Sequence, residues 1–170
     1  MKKSNLYSML ALSAAILVLS SCGSKISKPY EVNDVTLIAE GPLFEGSNTL
    51  QATTELDLSK AADWAKADNV HGCKISKIVL STEDSLGFDM LNNIIVQVVS
   101  EKAGMVQIGV LNPIEKGQKQ ITLNVAKDAD LKHIFEQKDM TIVADADLIG
   151  DRDANLEIKA QLLFDLELKD

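Results

Sequence analysis

From Leu156 to Leu168 every even-numbered residue is apolar, and this constrains the fold more than any other feature of the chain. Leu156, Ile158, Ala160, Leu162, Phe164, Leu166 and Leu168 alternate with Glu157, Lys159, Gln161, Asp165, Glu167 and Lys169, and only Leu163 breaks the polar row. Side chains alternate faces along a strand, so this spacing predicts one long antiparallel strand with a single buried face, bent or shared between two sheets. No helix gathers residues of period two on one side. Upstream, Ile142, Ala144, Ala146 and Leu148 alternate with Thr141, Val143, Asp145 and Asp147. The intervening 149–155 segment, Ile-Gly-Asp-Arg-Asp-Ala-Asn, carries hairpin chemistry, so the two runs are expected to pair. Asp145 and Asp147 then point outward on a solvated edge, where charges discourage edge-to-edge association.

Six further strands are expected at Val35–Glu40, Leu50–Leu58, Lys74–Thr82, Asn93–Ser100, Met105–Leu111 and Gln120–Ala126, separated by Gly, Pro and Asn turn signals. The breaks are too short for repeated helical crossovers, so the sheet is antiparallel. Eight such strands predict an all-β, two-sheet antiparallel sandwich. Two short helices are expected to cover its ends. One runs over Ser59–Asp68, with Ser59 as N-cap and Trp64 as a core anchor; the other covers Asp130–Glu136 behind an Asp130 cap.

The N-terminus is basic at Lys2 and Lys3 and apolar from Leu6 to Leu19, about fourteen residues against the roughly twenty that a spanning helix needs. It closes on Leu19-Ser20-Ser21-Cys22, which resembles the lipobox of bacterial lipoproteins. The resemblance implies a cleaved signal peptide over 1–21 and a diacylglyceryl thioether on Cys22, with a further acyl chain such as palmitate on its amino group. At about 0.8 kcal/mol per buried methylene, two or three chains make attachment to the membrane permanent. Residues 22–29 read as a short lipidated tether, with Gly23 to Pro29 reaching at most about 25 Å, and residues 30–170 as one domain. Gly23 after Cys22 is unlike an inner-membrane retention signal. An outer-membrane anchor in a diderm host follows, and Lys25 and Lys28 ahead of the first acid, Glu31, favour the periplasmic face over the cell surface.

Loss of residues 1–21 removes two lysines and no acid, so the formal charge moves from −8 to −10. Nucleic acid is a poor partner for such a chain, whereas an envelope protein is compatible with it. Apart from Cys22 the mature chain holds only Cys73, so it has no internal disulfide, and Cys73 reads as a small buried hydrophobe.

The order of parts also resembles a group of small Bacteroidota lipoproteins, most of them without an assigned function. The likeness lies in a first hairpin, a short helix after Leu58, the strand Lys74-Ile75-Ser76-Lys77-Ile78-Val79-Leu80, the Asp130-Leu131-Lys132-His133-Ile134 helix and a final hairpin ending at Phe164-Asp165. It implies the lipid anchor and the sandwich, and no functional residue besides Cys22.

Chemistry-bearing motifs are sparse. His71 and Cys73 supply at most a fragment of a metal site, since zinc needs three or four converging ligands. Asp145, Asp147, Asp151 and Asp153, with Asn155, are hard oxygen donors of the kind calcium takes, but their spacing is not that of an EF-hand. A solvated acidic turn is the plainer reading. Glu83 and Asp84 form an acidic pair in a loop. No nucleophile elbow or glycine-rich phosphate loop is found, and neither a catalytic residue nor a cofactor is expected beyond the covalent lipid. The leading expectation is a lipid-anchored, non-enzymatic envelope module with a binding or structural accessory role. Two alternatives are a carrier of an apolar ligand, suggested by the two-faced apolar run from Ile94 to Val99, and a calcium-dependent adhesion module.

Overall fold

The computed structural model describes residues 25–169; the signal peptide expected over 1–21 and the lipid attachment expected at Cys22 lie outside the described residues. Nine strands form one antiparallel sheet: β1 (Lys25–Ala39), β2 (Gly46–Glu55), β3 (Val70–Ser81), β4 (Leu91–Ser100), β5 (Gly104–Leu111), β6 (Gln120–Thr122), β7 (Asn124–Val125), β8 (Asp139–Leu148) and β9 (Leu156–Lys169). Their order is β6-β3-β9-β1-β2-β8-β4-β5-β7. All eight expected strands are present, the Gln120–Ala126 run being divided between β6 and β7.

This division nearly closes the sheet into a barrel. β6 pairs with β3 at one edge, through Leu80 opposite Ile121, and β7 pairs with β5 at the other, through Gly109 opposite Val125. Leu123, between them, donates its N–H to the Ile78 carbonyl at 3.1 Å. One short segment thus serves both edges, where the sequence reading expects two separate sheets. The edges approach so closely that a Cβ on Gly109 would lie 2.6 Å from Ile78 Cδ1.

β9 is an interior strand, flanked along its length by β1 and β3. Its seven even-numbered apolar residues are each no more than 1% exposed, as the alternation requires. Burial of each large apolar side chain contributes about 1.5–3 kcal/mol, which is why register along this strand is fixed. The facing half of the interior comes from Leu50, Ile94, Val96, Val98, Ile108, Ile142, Ala144 and Ala146. Among the described residues the strands pack around one continuous apolar core.

Several expectations are corrected. β8 and β9 do not pair: β8 lies between β2 and β4, and β9 between β1 and β3. The 149–155 segment therefore crosses between parts of the sheet, and β8 is an interior strand. β1 and β2 meet at one pair only, Ile38 with Gln51, instead of forming a full hairpin. Lys25–Pro29, assigned to the tether, open β1 and pair with Asp165–Lys169, with an ion pair from Lys25 to Glu167.

Neither covering segment is an α-helix. Over 58–69 there are only 3₁₀ turns at Leu58–Lys60 and Ala67–Asn69. Asp57 takes the capping role foreseen for Ser59, accepting from its N–H and hydroxyl. The side chain of Asn69 accepts from Lys66 N–H and donates to the Lys169 carbonyl, one local bond and one to the end of β9 that compete with alanine's helix propensity. Trp64 is consequently 38% exposed rather than a core anchor. Lys132–Glu136 is a 3₁₀ turn, because Asp130 bonds Lys132 N–H and Leu131 N–H is drawn to the Cys73 carbonyl of β3. It still buries Ile134 and Phe135.

Candidate functional site

Antiparallel pairing sorts the connections into two ends. The near end holds Lys25 opposite Lys169, together with segments 56–69, 101–103 and 126–138. The far end gathers segments 40–45, 82–90, 112–119 and 149–155. The ten residues of β2 and of β8, rising about 3.3 Å each, span about 33 Å at most between the two ends.

The far-end loops are tied into one unit by the chain's only arginine. Arg152 donates from Nη2 to Asp84 Oδ2 at 3.0 Å and to the Asn155 carbonyl at 2.8 Å, and from Nε to the Ala154 carbonyl at 2.9 Å. Its Nη1 lies 2.9 Å from Met90 Sδ, and its backbone pairs with Leu43. A planar fork of donors meets several acceptors at once in a way that lysine does not. Asp84 also accepts from Leu86 N–H at 2.9 Å; that bond, followed by Arg152, holds its carboxyl below the ordinary range despite partial burial. Further bonds join Phe88 N–H to the Gln118 carbonyl and Ile149 N–H to the Met90 carbonyl.

On this frame apolar side chains face solvent. Among the described residues four large hydrophobic side chains are more than half exposed, and three of them, Phe44 (65%), Leu86 (62%) and Ile149 (52%), stand on far-end loops. Leu86 and Ile149 rim an open depression of about 390 Å³ that also involves Met90, Leu148, Lys116 and Arg152. Phe44 stands on a loop fastened to 149–155, because Leu43 pairs with Arg152 and Glu45 N–H donates to Asp151 Oδ1 at 2.8 Å. The same loops carry Glu40, Glu45, Glu83, Asp84, Asp89, Glu115, Asp151 and Asp153 against Lys116, Lys119 and Arg152. The four loops together are acidic, while the depression itself is lined by Asp89 and Asp151 against Lys116 and Arg152.

Packing in these loops leaves no space at Gly41. A Cβ there would sit 2.3 Å from the Asp153 carbonyl oxygen, a backbone atom that moves only with its loop. Gly41→Ala is expected to cost about 1–3 kcal/mol, as overpacking does, and to lower the urea midpoint with little change in slope. An unchanged midpoint would mean that segments 40–45 and 149–155 are not in fixed contact.

The four candidate calcium-binding aspartates are bonded apart from one another. Asp145 accepts from Thr49 Oγ1 at 2.9 Å and Asp147 from the Asn92 and Asn93 amides, while Asp151 takes the Glu45 N–H. Asp153 lies in the loop, and Asn155 accepts from Gly41 N–H. Among the described residues no group of three or more His, Cys, Asp or Glu is placed to hold a metal ion. His71 is exposed and Cys73 buried, because an irregularity between Val70 and Gly72 puts them on opposite faces. Glu83 reaches Lys159 while Asp84 binds Arg152, so this pair shares no substrate position.

Cys73 is 3% exposed, and burial first, then the Asp130 and Asp165 carboxylates, push its thiol well above the ordinary range. Little thiolate forms at neutral pH. Native protein is expected to resist maleimide at pH 7.5 and to label fully in denaturant; fast native labelling would contradict the burial. At the near end Glu136 is held down to about 2 by Lys102, then by His133 Nδ1 at 3.2 Å. Tyr30, buried against Phe135, accepts from Asp57 N–H at 3.0 Å.

Sequence reading passed over Phe44, Leu86, Ile149 and Arg152. The available signals were a lone arginine and apolar residues inside turn segments that hold glycine. Comparison of the sequence with protein-family models and with curated proteins finds no match to either.

Proposed function

We propose that the chain is a lipid-anchored, non-enzymatic module of the cell envelope that presents a binding end to a partner away from the membrane. It would be held by the acylated Cys22 in the outer membrane of a diderm bacterium and face the periplasm, as in the small Bacteroidota lipoproteins it resembles. The observation that supports this most is polarity of placement. β1 starts three residues after Cys22, at the near end, and the exposed apolar loops lie at the opposite end. A lipid at Cys22 would therefore hold the near end at the bilayer and project the far end outward. We read the β6-β3-β9-β1 and β2-β8-β4-β5-β7 parts, joined on one side by the single Ile38–Gln51 pair, as packing face to face in sandwich fashion.

Metabolic labelling with an alkyne palmitate in a diderm host tests the anchor. Wild type is expected to take the label and fractionate with outer membrane, and Cys22→Ala to remain unlabelled. An unlabelled wild type would sink the anchored reading. Protease added to intact cells should leave the domain whole, and its digestion would instead place it on the surface.

A further inference from the structure

We infer that the near end is a lipid-docking surface, on which Trp64 seats its indole among the headgroups beside the anchor. The inference deepens the proposed anchoring and rests on it. Apolar residues face solvent singly on most proteins, so the 38% exposure of Trp64 does not carry the inference alone. What carries it is how little chain separates Cys22 from the sheet. β1 opens at Lys25, already paired with Lys169, and three residues of chain from Cys22 span at most about 11 Å. The headgroup layer is itself about 5–8 Å deep. With Cys22 acylated, the near end cannot stand clear of the bilayer.

Trp64 lies on a segment fastened to the anchored end. Segment 56–69 is held at its start by the Asp57 N–H, which donates to the Tyr30 hydroxyl of β1, and at its finish by the Asn69 amide, which donates to the Lys169 carbonyl, each at 3.0 Å. It therefore runs between the levels of Tyr30 and Lys25 along β1, and the buried Ala65 fixes the backbone next to the indole. An apolar ring with a single N–H is the kind of side chain that favours a membrane interface. The same segment carries Lys60 and Lys66 against Asp57, Asp63 and Asp68, so it offers no net attraction to anionic lipid. The anchor and the indole, and not charge, set the contact.

Trp64 is the only tryptophan of the chain, so its fluorescence reports the contact directly. The acylated full chain, purified from a diderm host, is reconstituted in phosphatidylcholine vesicles and in matching vesicles whose acyl chains are brominated near the headgroup. Emission from Trp64 is expected to fall about twofold in the brominated vesicles, and equally at low and high salt. Trp64→Phe combined with Phe44→Trp moves the reporter to the far end, where Phe44 is 65% exposed, and should lose no emission.

Emission that bromine leaves unchanged, in protein that floats with the vesicles, would overturn the inference and leave the anchor standing. So would equal quenching of the far-end reporter, which would mean that the domain lies on the bilayer without a preferred end, or quenching abolished by salt. Trp64 shielded from acrylamide in native outer membrane, yet unquenched in lipid alone, would overturn it as well and assign the face to a protein. A chain that neither takes palmitate nor floats would overturn the anchored reading and this one with it, so the two failures are told apart.

Discussion

Replacing Phe164 by alanine is expected to destabilise the domain by about 3–5 kcal/mol, the largest effect of any single truncation proposed for it. Phe164 is fully buried at the middle of β9, with Tyr30 of β1 and Ile75 of β3 as its register partners. Its ring meets Phe135 edge to face at 5.4 Å, and Phe135 meets Tyr30 likewise at 5.2 Å. The truncation would remove the ring's transfer energy and leave a cavity bounded by three strands and the 132–136 turn, which have little freedom to collapse inward. At about 2–4 °C per kcal/mol for a domain of this size, the melting temperature should fall by roughly 10–15 °C in thermal denaturation. Gln161→Ala, on the exposed row of the same strand, is the control and should stay within about 0.5 kcal/mol. Equal shifts for the two variants would mean that the odd and even rows of β9 are not segregated as described.

Arg152→Ala is the second large effect, expected at about 2 kcal/mol near neutral pH. Removing one partner of a fully buried ion pair costs about 3–5 kcal/mol, but both side chains here keep about a fifth of their surface in water, which screens the loss. The variant should also raise hydrogen exchange in 82–90 and 149–155 and leave β9 protected.

The effect depends on pH in a direction fixed by the Asp84 carboxyl, which in the folded protein lies below its ordinary value. A lowered folded pKa means stability that is fully present above the unfolded value, about 3.9, and lost as pH falls through the folded one. The difference between wild type and Arg152→Ala is therefore expected to shrink from pH 7 towards pH 3. It should not vanish, since the bonds to the Ala154 and Asn155 carbonyls do not titrate. A difference that is constant across this range would assign Arg152 to packing alone.

How much was legible in advance follows from the kind of information each feature needs. The even-numbered row of β9 and the outward turn of Asp145 and Asp147 on β8 were readable because face alternation is a property of a strand by itself. The missing helices were not. Whether Ser59–Asp68 winds into a helix depended on Asn69 reaching the Lys169 carbonyl, across 100 residues of chain. The far-end site was invisible for a related reason. Phe44, Leu86 and Ile149 are ordinary turn residues until Arg152 draws their loops together, and sequence carries no sign of which acid a lone arginine will choose.

By itself, then, the sequence determined the all-β class, the approximate places of the strands and the faces that β8 and β9 bury, because these rest on backbone geometry and on the cost of exposing apolar rows. Only the tertiary structure decided which strands are neighbours. β8 and β9 carry compatible patterns and a turn between them, yet each fills both its edges with other strands. Pairing partners compete for the same hydrogen bonds, and the competition is settled by how the whole apolar interior closes, with Leu123 joining the two edges of the sheet and three far loops meeting around Arg152.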